Sequence, residues 1–236
     1  MKILALSTST PRGSAVVLED EHVLGGGGYV DLQGHAERIF EAIDAALAAA
    51  NLDRKAIQAL ACDQGPGSFT GVRVGVASAK GIALGLGVPL AGVISLEAMA
   101  AAAFSEGAAT EADVVLAAID AKKDEVFLAA YTLVDGVVRA LAPPRCAPRS
   151  AAALTIPGET RRIVLVGEVV ASIDPLPPGL ARGPALDLPD AVWVGRLAAR
   201  RLAAGEPGDP ALVEPLYVRP PDAVPLAIPT RPDPAG

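Results

Sequence analysis

The chain is poor in aromatic residues, histidine and cysteine, and it has no long uninterrupted apolar run. Aromatics make up 3% of its 236 residues, so the core must be built from Val, Leu, Ile and Ala, and few side chains can stack on nucleotide bases or sugars. The two cysteines, Cys62 and Cys146, form no CxxC pair and are too few to frame a chain this long with disulfides; buried reduced thiols are expected. There is no HExxH and no Cys/His or Ser/His/Asp arrangement, which argues against a protease. Positive charge is also short: 20 Lys and Arg face 27 Asp and Glu, a net charge of −7 that repels a phosphate backbone, and no basic run offsets it. If the protein serves a nucleic acid, another component grips it.

The longest uncharged run, Gly81 to Leu96, contains Pro89 and several glycines and falls short of the roughly 20 residues that span a bilayer. The apolar start, Ile3 to Leu6, is too short for a signal peptide. A soluble, cytoplasmic protein without membrane contact is expected.

What is present is a mixed α/β pattern. Ile3–Leu6, Ala15–Leu18 and a segment from His22 read as three strands joined by polar turns, an opening meander rather than the strand–helix unit of a dinucleotide-binding fold. The run Gly25–Gly28 is expected to interrupt the third strand. His35–Ala50 reads as a helix, with Ile39, Ile43, Leu47 and Ala50 on one face and Glu37, Glu41 and Asp44 on another. A strand at Ile57–Cys62, a helix at Ser68–Leu86, a strand at Val88–Ile94 and a helix at Leu96–Phe104 complete a first lobe, 1–107. Ser105–Asp113 is small and polar, as a boundary would be. The second lobe, 108–189, holds strands at Val114–Ile119, Val126–Leu133 and Val137–Leu141, the last two turning at Asp135-Gly136. In the proline-rich stretch Pro143–Pro189 only Ile163–Val166 reads as a strand. A helix from Pro189-Asp190 to Gly205 opens a C-terminal element, 190–218, expected to pack back on the lobes. The tail, 219–236, is expected to be extended and mobile.

Gly65-Pro66-Gly67-Ser68-Phe69-Thr70-Gly71 joins a buried strand to a helix. Two readings are open. Gly65, Gly67, Ser68, Thr70 and Gly71 could hold an anion or nucleotide phosphate at the helix N-terminus, or the loop is a tight turn capped by Ser68 or Thr70. No lysine stands where a Walker A loop needs one. In the helix that follows, Gly71, Gly75 and Ala79 lie four apart on one face, and Gly81 and Gly85 on another. Each glycine inside a helix costs about 0.5–1 kcal/mol relative to alanine, so close backbone approach is expected. The neighbour would be the His35–Ala50 helix, another contact within the chain, or a second subunit. His35, Ile39, Ile43, Gly71, Val72, Gly75, Val76 and Ala79 are the candidate interface.

Four phrases, "KILALSTST", "GPGSFTGVRVGVASAKGIALGL", "VLAAIDAKKDEVFLAAY" and "EPLYVR", closely resemble the TsaB family in that family's order, whereas Arg139–Pro189 carries no resemblance. The resemblance implies an actin-like (ASKHA, ribonuclease-H-like) α/β fold with two lobes. It implies a non-catalytic partner of the catalytic TsaD, working with the ATPase TsaE to place a threonylcarbamoyl group on the adenosine beside the anticodon of tRNAs reading ANN codons. Contact with tRNA would come only through the complex, and the isolated chain could pair with itself. Catalytic residues, a metal and a cofactor are not expected on this chain; ATP and metal belong to the partner subunits. Two departures bear on that reading. Ser7 stands at the end of strand one, where the family has Asp and where actin-like ATPases organise Mg²⁺; a serine cannot supply the anionic oxygen a hard cation prefers. TsaD carries an HxxxH pair on its early helix, but Ile39 stands four residues after His35, which is expected to be a surface or capping residue. The alternatives are an actin-like nucleotide hydrolase or kinase acting alone, or an unrelated interaction module.

Overall fold

The computed structural model describes residues 1–30, 35–172, 180–182 and 188–219. Its first sheet contains β1 (Lys2–Ser7), β2 (Arg12–Glu19), β3 (His22–Val30), β4 (Ala59–Asp63) and β5 (Leu90–Val93), in the order β3-β2-β1-β4-β5. β1, β2 and β3 run antiparallel, and β1, β4 and β5 run parallel. The helices are α1 (His35–Ala49), α2 (Phe69–Leu86), α3 (Ser95–Ser105) and α4 (Ala191–Ala203). The second sheet holds β6 (Val114–Lys122), β7 (Glu125–Val134), β8 (Val137–Ala140), β9 (Arg145–Pro148), β10 (Ile163–Val166) and β11 (Leu180–Arg182). Its path is β11-β10-β6-β7-β8, with β9 also paired to β7. Two such sheets, each flanked by helices, form the actin-like α/β architecture that the resemblance implies. Among the described residues no helix is long and apolar enough to cross a membrane.

The period-2 pattern of the central strands explains the layering. Leu4, Leu6, Leu60 and Cys62 point to the face covered by α1 and α2; Ile3, Ala5, Ala59 and Ala61 point to the face covered by α4 and α3. Both faces are apolar, so these strands are buried on both sides. In the second sheet Val115, Ala117 and Ile119 face α3, and Val114, Leu116 and Ala118 face the opposite core. Helix α3 is apolar all round: Ala98, Ala101 and Ala102 pack in the first lobe, Leu96, Met99 and Phe104 in the second. It is thus the wedge between the lobes. The C-terminal helix α4 lies on β1, β2, β4 and β5, and Arg201 fixes it to α3 through Glu97 at 2.7 Å.

Three expectations are corrected here. Gly25–Gly28 does not interrupt the third strand, which runs nine residues through it. A Cβ at Gly25 or Gly27 would collide with the carbonyl oxygens of Ala46 or Ala42, so the glycines let α1 lie directly on β3. The proline-rich stretch holds β9 and β11 besides β10; each has only three or four residues, too short for a visible alternation. Of the expected mobile tail only Arg219 falls within the described residues, and it is anchored, as described below. The rest of the tail lies outside them.

Candidate functional site

Between the lobes lies a cleft of about 760 Å³. The first lobe contributes the β1–β2 turn (Ser9, Thr10, Pro11), His35, and the loop and helix start from Pro66 to Arg73. The second contributes Ile119–Lys122 at the end of β6, Phe127 and Glu168, and the C-terminal segment Leu216–Arg219 completes the wall.

Behind the first-lobe wall of the cleft stands a buried carboxylate. Asp63, the last residue of β4, is fully buried and accepts hydrogen bonds from Ser7 Oγ (2.8 Å), Ser9 Oγ (2.6 Å) and Ser95 Oγ (3.3 Å). The Thr8 and Ser9 amides donate to it at 3.1 and 3.4 Å. Burial pushes its carboxyl above the ordinary range, and these hydroxyl and amide donors only partly oppose that. Among the described residues no cation pairs with it; it holds the β1–β2 turn against the end of β4. Ser7, the position where an actin-like ATPase has its acid, is itself buried and donates to Asp63. Asp63 escaped the sequence reading, which ended the strand at Cys62; the available signal was an acid standing between a buried strand and the glycine-rich loop.

The glycine-rich helix start packs onto the same turn. Thr8 Oγ1 donates to the Gly71 carbonyl at 2.8 Å, and Ser68 N donates to the Ser9 carbonyl at 2.6 Å. A Cβ at Gly67, Gly71 or Gly75 would collide with Ser9 O, Thr8 O or Thr8 Oγ1. The close approach expected of this stripe is therefore to the chain's own β1–β2 turn, not to the His35–Ala50 helix or a second subunit. Of the expected anion-binding residues, Gly67 and Ser68 line the cleft; Thr70 is exposed away from it, and Gly65 and Gly71 are buried behind it. Ser68 caps the helix, accepting from Gly71 N at 3.3 Å, so the capped-turn reading describes the loop.

The eight candidate interface residues are all buried within the chain: His35, Ile39 and Ile43 on α1, and Gly71, Val72, Gly75, Val76 and Ala79 on α2. As a correction, these helices can meet a partner only through their other faces. His35 is not a surface residue. Its Nδ1 lies 2.8 Å from the Tyr29 hydroxyl, inside the fold.

The second-lobe wall is charged but internally paired. Asp120 binds Lys122 at 2.7 Å and also Arg149. Burial acts to raise its carboxyl, but the Lys122 side chain and amide, with the charge of Arg149, hold it below the usual range. The positive groups facing the cleft are likewise engaged. Arg73 stacks on Phe69, 3.6 Å from the ring centroid, and donates to Tyr217 Oη at 2.7 Å; Arg219 pairs with Glu125. Among the described residues no group of three or more His, Cys, Asp or Glu stands together.

Comparison with known proteins accords with this geometry. Residues 30–174 match the family model described as TsaD: tRNA N6-adenosine threonylcarbamoyltransferase. The chain is 40% identical over 133 residues to the tRNA threonylcarbamoyladenosine biosynthesis protein TsaB of Escherichia coli (strain K12), an aligned region that spans 56% of this chain and about half, 55%, of the relative. It is 35% identical over 233 residues to the uncharacterized protein Rv3421c of Mycobacterium tuberculosis (strain H37Rv), covering 96% of this chain and 95% of that one. The solved structure of YeaZ from Pseudomonas aeruginosa superposes with a TM-score of 0.78 at 29% identity, over 92% of this chain and 99% of that one. The chain belongs to the TsaB family and carries the TsaD-family domain over residues 30–174.

Proposed function

We propose that this chain takes part in tRNA threonylcarbamoyladenosine biosynthesis as a non-catalytic subunit, partner and scaffold of a TsaD-like catalytic protein, with a TsaE-like ATPase completing the complex. The observation that carries the silent role is the Asp63 network. Asp63, the acid behind the β1–β2 turn, has no exposed surface and is bonded to Ser7, Ser9 and Ser95, while Asp120, an acid of the cleft wall, is paired with Lys122 and Arg149. The net charge of −7 supports tRNA contact through the complex rather than through this subunit alone. The outer faces of α1 and α2 are the proposed partner surface: the helices pack side by side, and Phe40 and Leu84 are exposed on them at 43% and 70%. A homodimer of the isolated chain would use the same faces and compete with the heterodimer.

The test is purification with a TsaD-like protein, followed by assays of complex formation and tRNA modification with and without this chain. Phe40→Glu and Leu84→Glu should leave the monomer folded and abolish association. Robust ATP hydrolysis or tRNA modification by the chain alone would instead favour an actin-like enzyme. Sub-micromolar, steeply salt-dependent tRNA binding by the chain alone would contradict the assigned division of labour.

A further inference from the structure

After α4 the chain runs along the first lobe and is held there repeatedly. Leu90 N donates to the Gly208 carbonyl at 2.9 Å, and Val213 is buried in the α1–α2 core. Gln64 grips the segment from both sides: its Nε2 donates to the Glu214 carbonyl at 2.8 Å, and its carbonyl accepts from Leu216 N at 2.7 Å. Tyr217 packs on Phe69 with centroids 5.6 Å apart and accepts from Arg73. Two residues later the chain touches the other lobe. Arg219 pairs with Glu125 at the start of β7, lies 3.7 Å from Cys146 Sγ on β9, and sits 5.9 Å from the Phe127 ring centroid.

The spacing constrains the cleft. Tyr217 is fixed to one lobe and Arg219 to the other, and two residues of extended chain reach only about 7 Å. Beyond what the Tyr217 and Arg219 side chains can follow, the lobe rims cannot part at this point unless one anchor lets go. The anchors are unequal. The first-lobe side combines a buried Val213, two backbone hydrogen bonds to Gln64 and an aromatic–arginine stack. Among the described residues the second-lobe side rests on Arg219 alone: an ion pair whose partners are 23% and 35% exposed, with the Cys146 and Phe127 contacts beside it. Partly exposed pairs of this kind contribute little and weaken with salt.

We propose that Glu214–Arg219 is a latch, anchored on the first lobe and releasable from the second, that sets the width of the cleft and gates entry to it. This inference rests on the fold alone and stands whether or not the proposed partnership does. Cys146 is half-buried with Arg219 beside its sulfur, so release exposes it further while Cys62 stays in the core, and the chain carries its own reporter and its own unfolding control.

The experiment uses the full chain, with Glu125→Gln on the second-lobe side, which keeps the Arg219 and Cys146 side chains. Burial and the Glu125 carboxylate both hold the Cys146 thiol up, so loss of Glu125 quickens labelling by itself, and amide exchange at the cleft walls separates that effect from opening. Thiol labelling by a disulfide reagent and amide hydrogen exchange are measured side by side. Loss of the charged acceptor is expected to speed Cys146 labelling by about two- to tenfold, with Cys62 unreactive. Exchange should also rise at the cleft walls, Gln64–Val72 and Ile119–Phe127, but not in β1 or α4. High salt should move the wild type in the same direction, and the charge-swapped pair Glu125→Arg with Arg219→Glu should restore slow labelling. Faster Cys146 labelling with unchanged cleft walls would make Arg219 a local cover and overturn the latch. Unchanged labelling in both Glu125→Gln and the single Arg219→Glu variant would also overturn it.

Discussion

The two halves of α2 carry the same kind of glycine stripe and use it differently. In the N-terminal half, Gly71 and Gly75 press on Thr8, and any Cβ there would collide with it. In the C-terminal half, Gly81 and Gly85 have nothing within 4 Å of an added Cβ. The first pair serves the fold: it lets the helix sit on the β1–β2 turn that Asp63 holds. The second pair meets no contact among the described residues, and it lies in the half that carries exposed Leu84. Glycines in one helix, alike in sequence, thus separate into an internal joint and an outward face only when their neighbours are known.

The largest effect should come from filling the internal joint. Gly75→Leu should destabilise the isolated chain by about 3 kcal/mol, the upper end of what overpacking costs, with or without a partner. Chemical denaturation of the monomer checks this. A wild-type unfolding midpoint would mean that the N-terminal half is as open as the C-terminal half.

Next comes the carboxylate beneath that joint. Asp63→Asn keeps the shape but sets an amide donor among hydroxyl and amide donors, and should cost about 1–3 kcal/mol. The pH dependence sharpens the comparison between lobes. The folded value of Asp63 is raised, so its contribution is fully present below the unfolded carboxylate value and is lost as pH rises through the folded one. Asp113 in the second lobe is the reverse. Hydrogen bonds from Arg162, at 2.8 and 2.7 Å, and from Thr110 hold it well below the usual range. Its contribution is present above the unfolded value and is lost as pH falls through the folded one. Melting temperatures across about pH 2 to 8, the acid end reaching toward the folded value of Asp113, should lose acid sensitivity in Asp113→Asn and lose a decline with rising pH in Asp63→Asn. Parallel curves for the two variants would remove the distinction.

The smallest effect belongs to the open half of α2. Gly81→Ala should stabilise the monomer by about 0.5–1 kcal/mol, because helix propensity improves and nothing is displaced. If that face meets the proposed partner closely, the same substitution should weaken association, measured by titration of the TsaD-like protein. Destabilisation of the monomer would place Gly81 in an internal contact after all.

Much of the fold was legible because its elements obey short-range rules. The short apolar strands, the Ser68 and Asp190 caps, the Gly205 stop and the Asp135-Gly136 turn all act within a few residues. What escaped depends on long-range neighbours. Gly25–Gly28 reads as a break until α1 is laid on it. Asp63 looks like a loop residue until Ser7 and Ser9, at the end of β1 and in the turn after it, and Ser95 at the start of α3 converge on it. Tyr217 and Arg219 belong to a recognisable phrase, but their tie across the cleft joins residues 144 and 94 positions apart in sequence to Arg73 and Glu125. The candidate interface was drawn from the small-residue stripe of α2 with its apolar neighbours and from the apolar face of α1, and both mark the side facing the core rather than the side left outside.

The most direct measurement of a silent cleft is tRNA threonylcarbamoylation by a reconstituted complex in which this subunit carries Ser7→Ala. That change removes the last hydroxyl from the place where an actin-like enzyme keeps its acid. If the cleft of this chain only organises its own lobe, the intact complex should form and modify tRNA within about twofold of the wild-type rate. A loss of about a hundredfold or more, with the complex still assembled, would exceed what a positioning defect in a non-reacting subunit gives and would contradict a non-catalytic role.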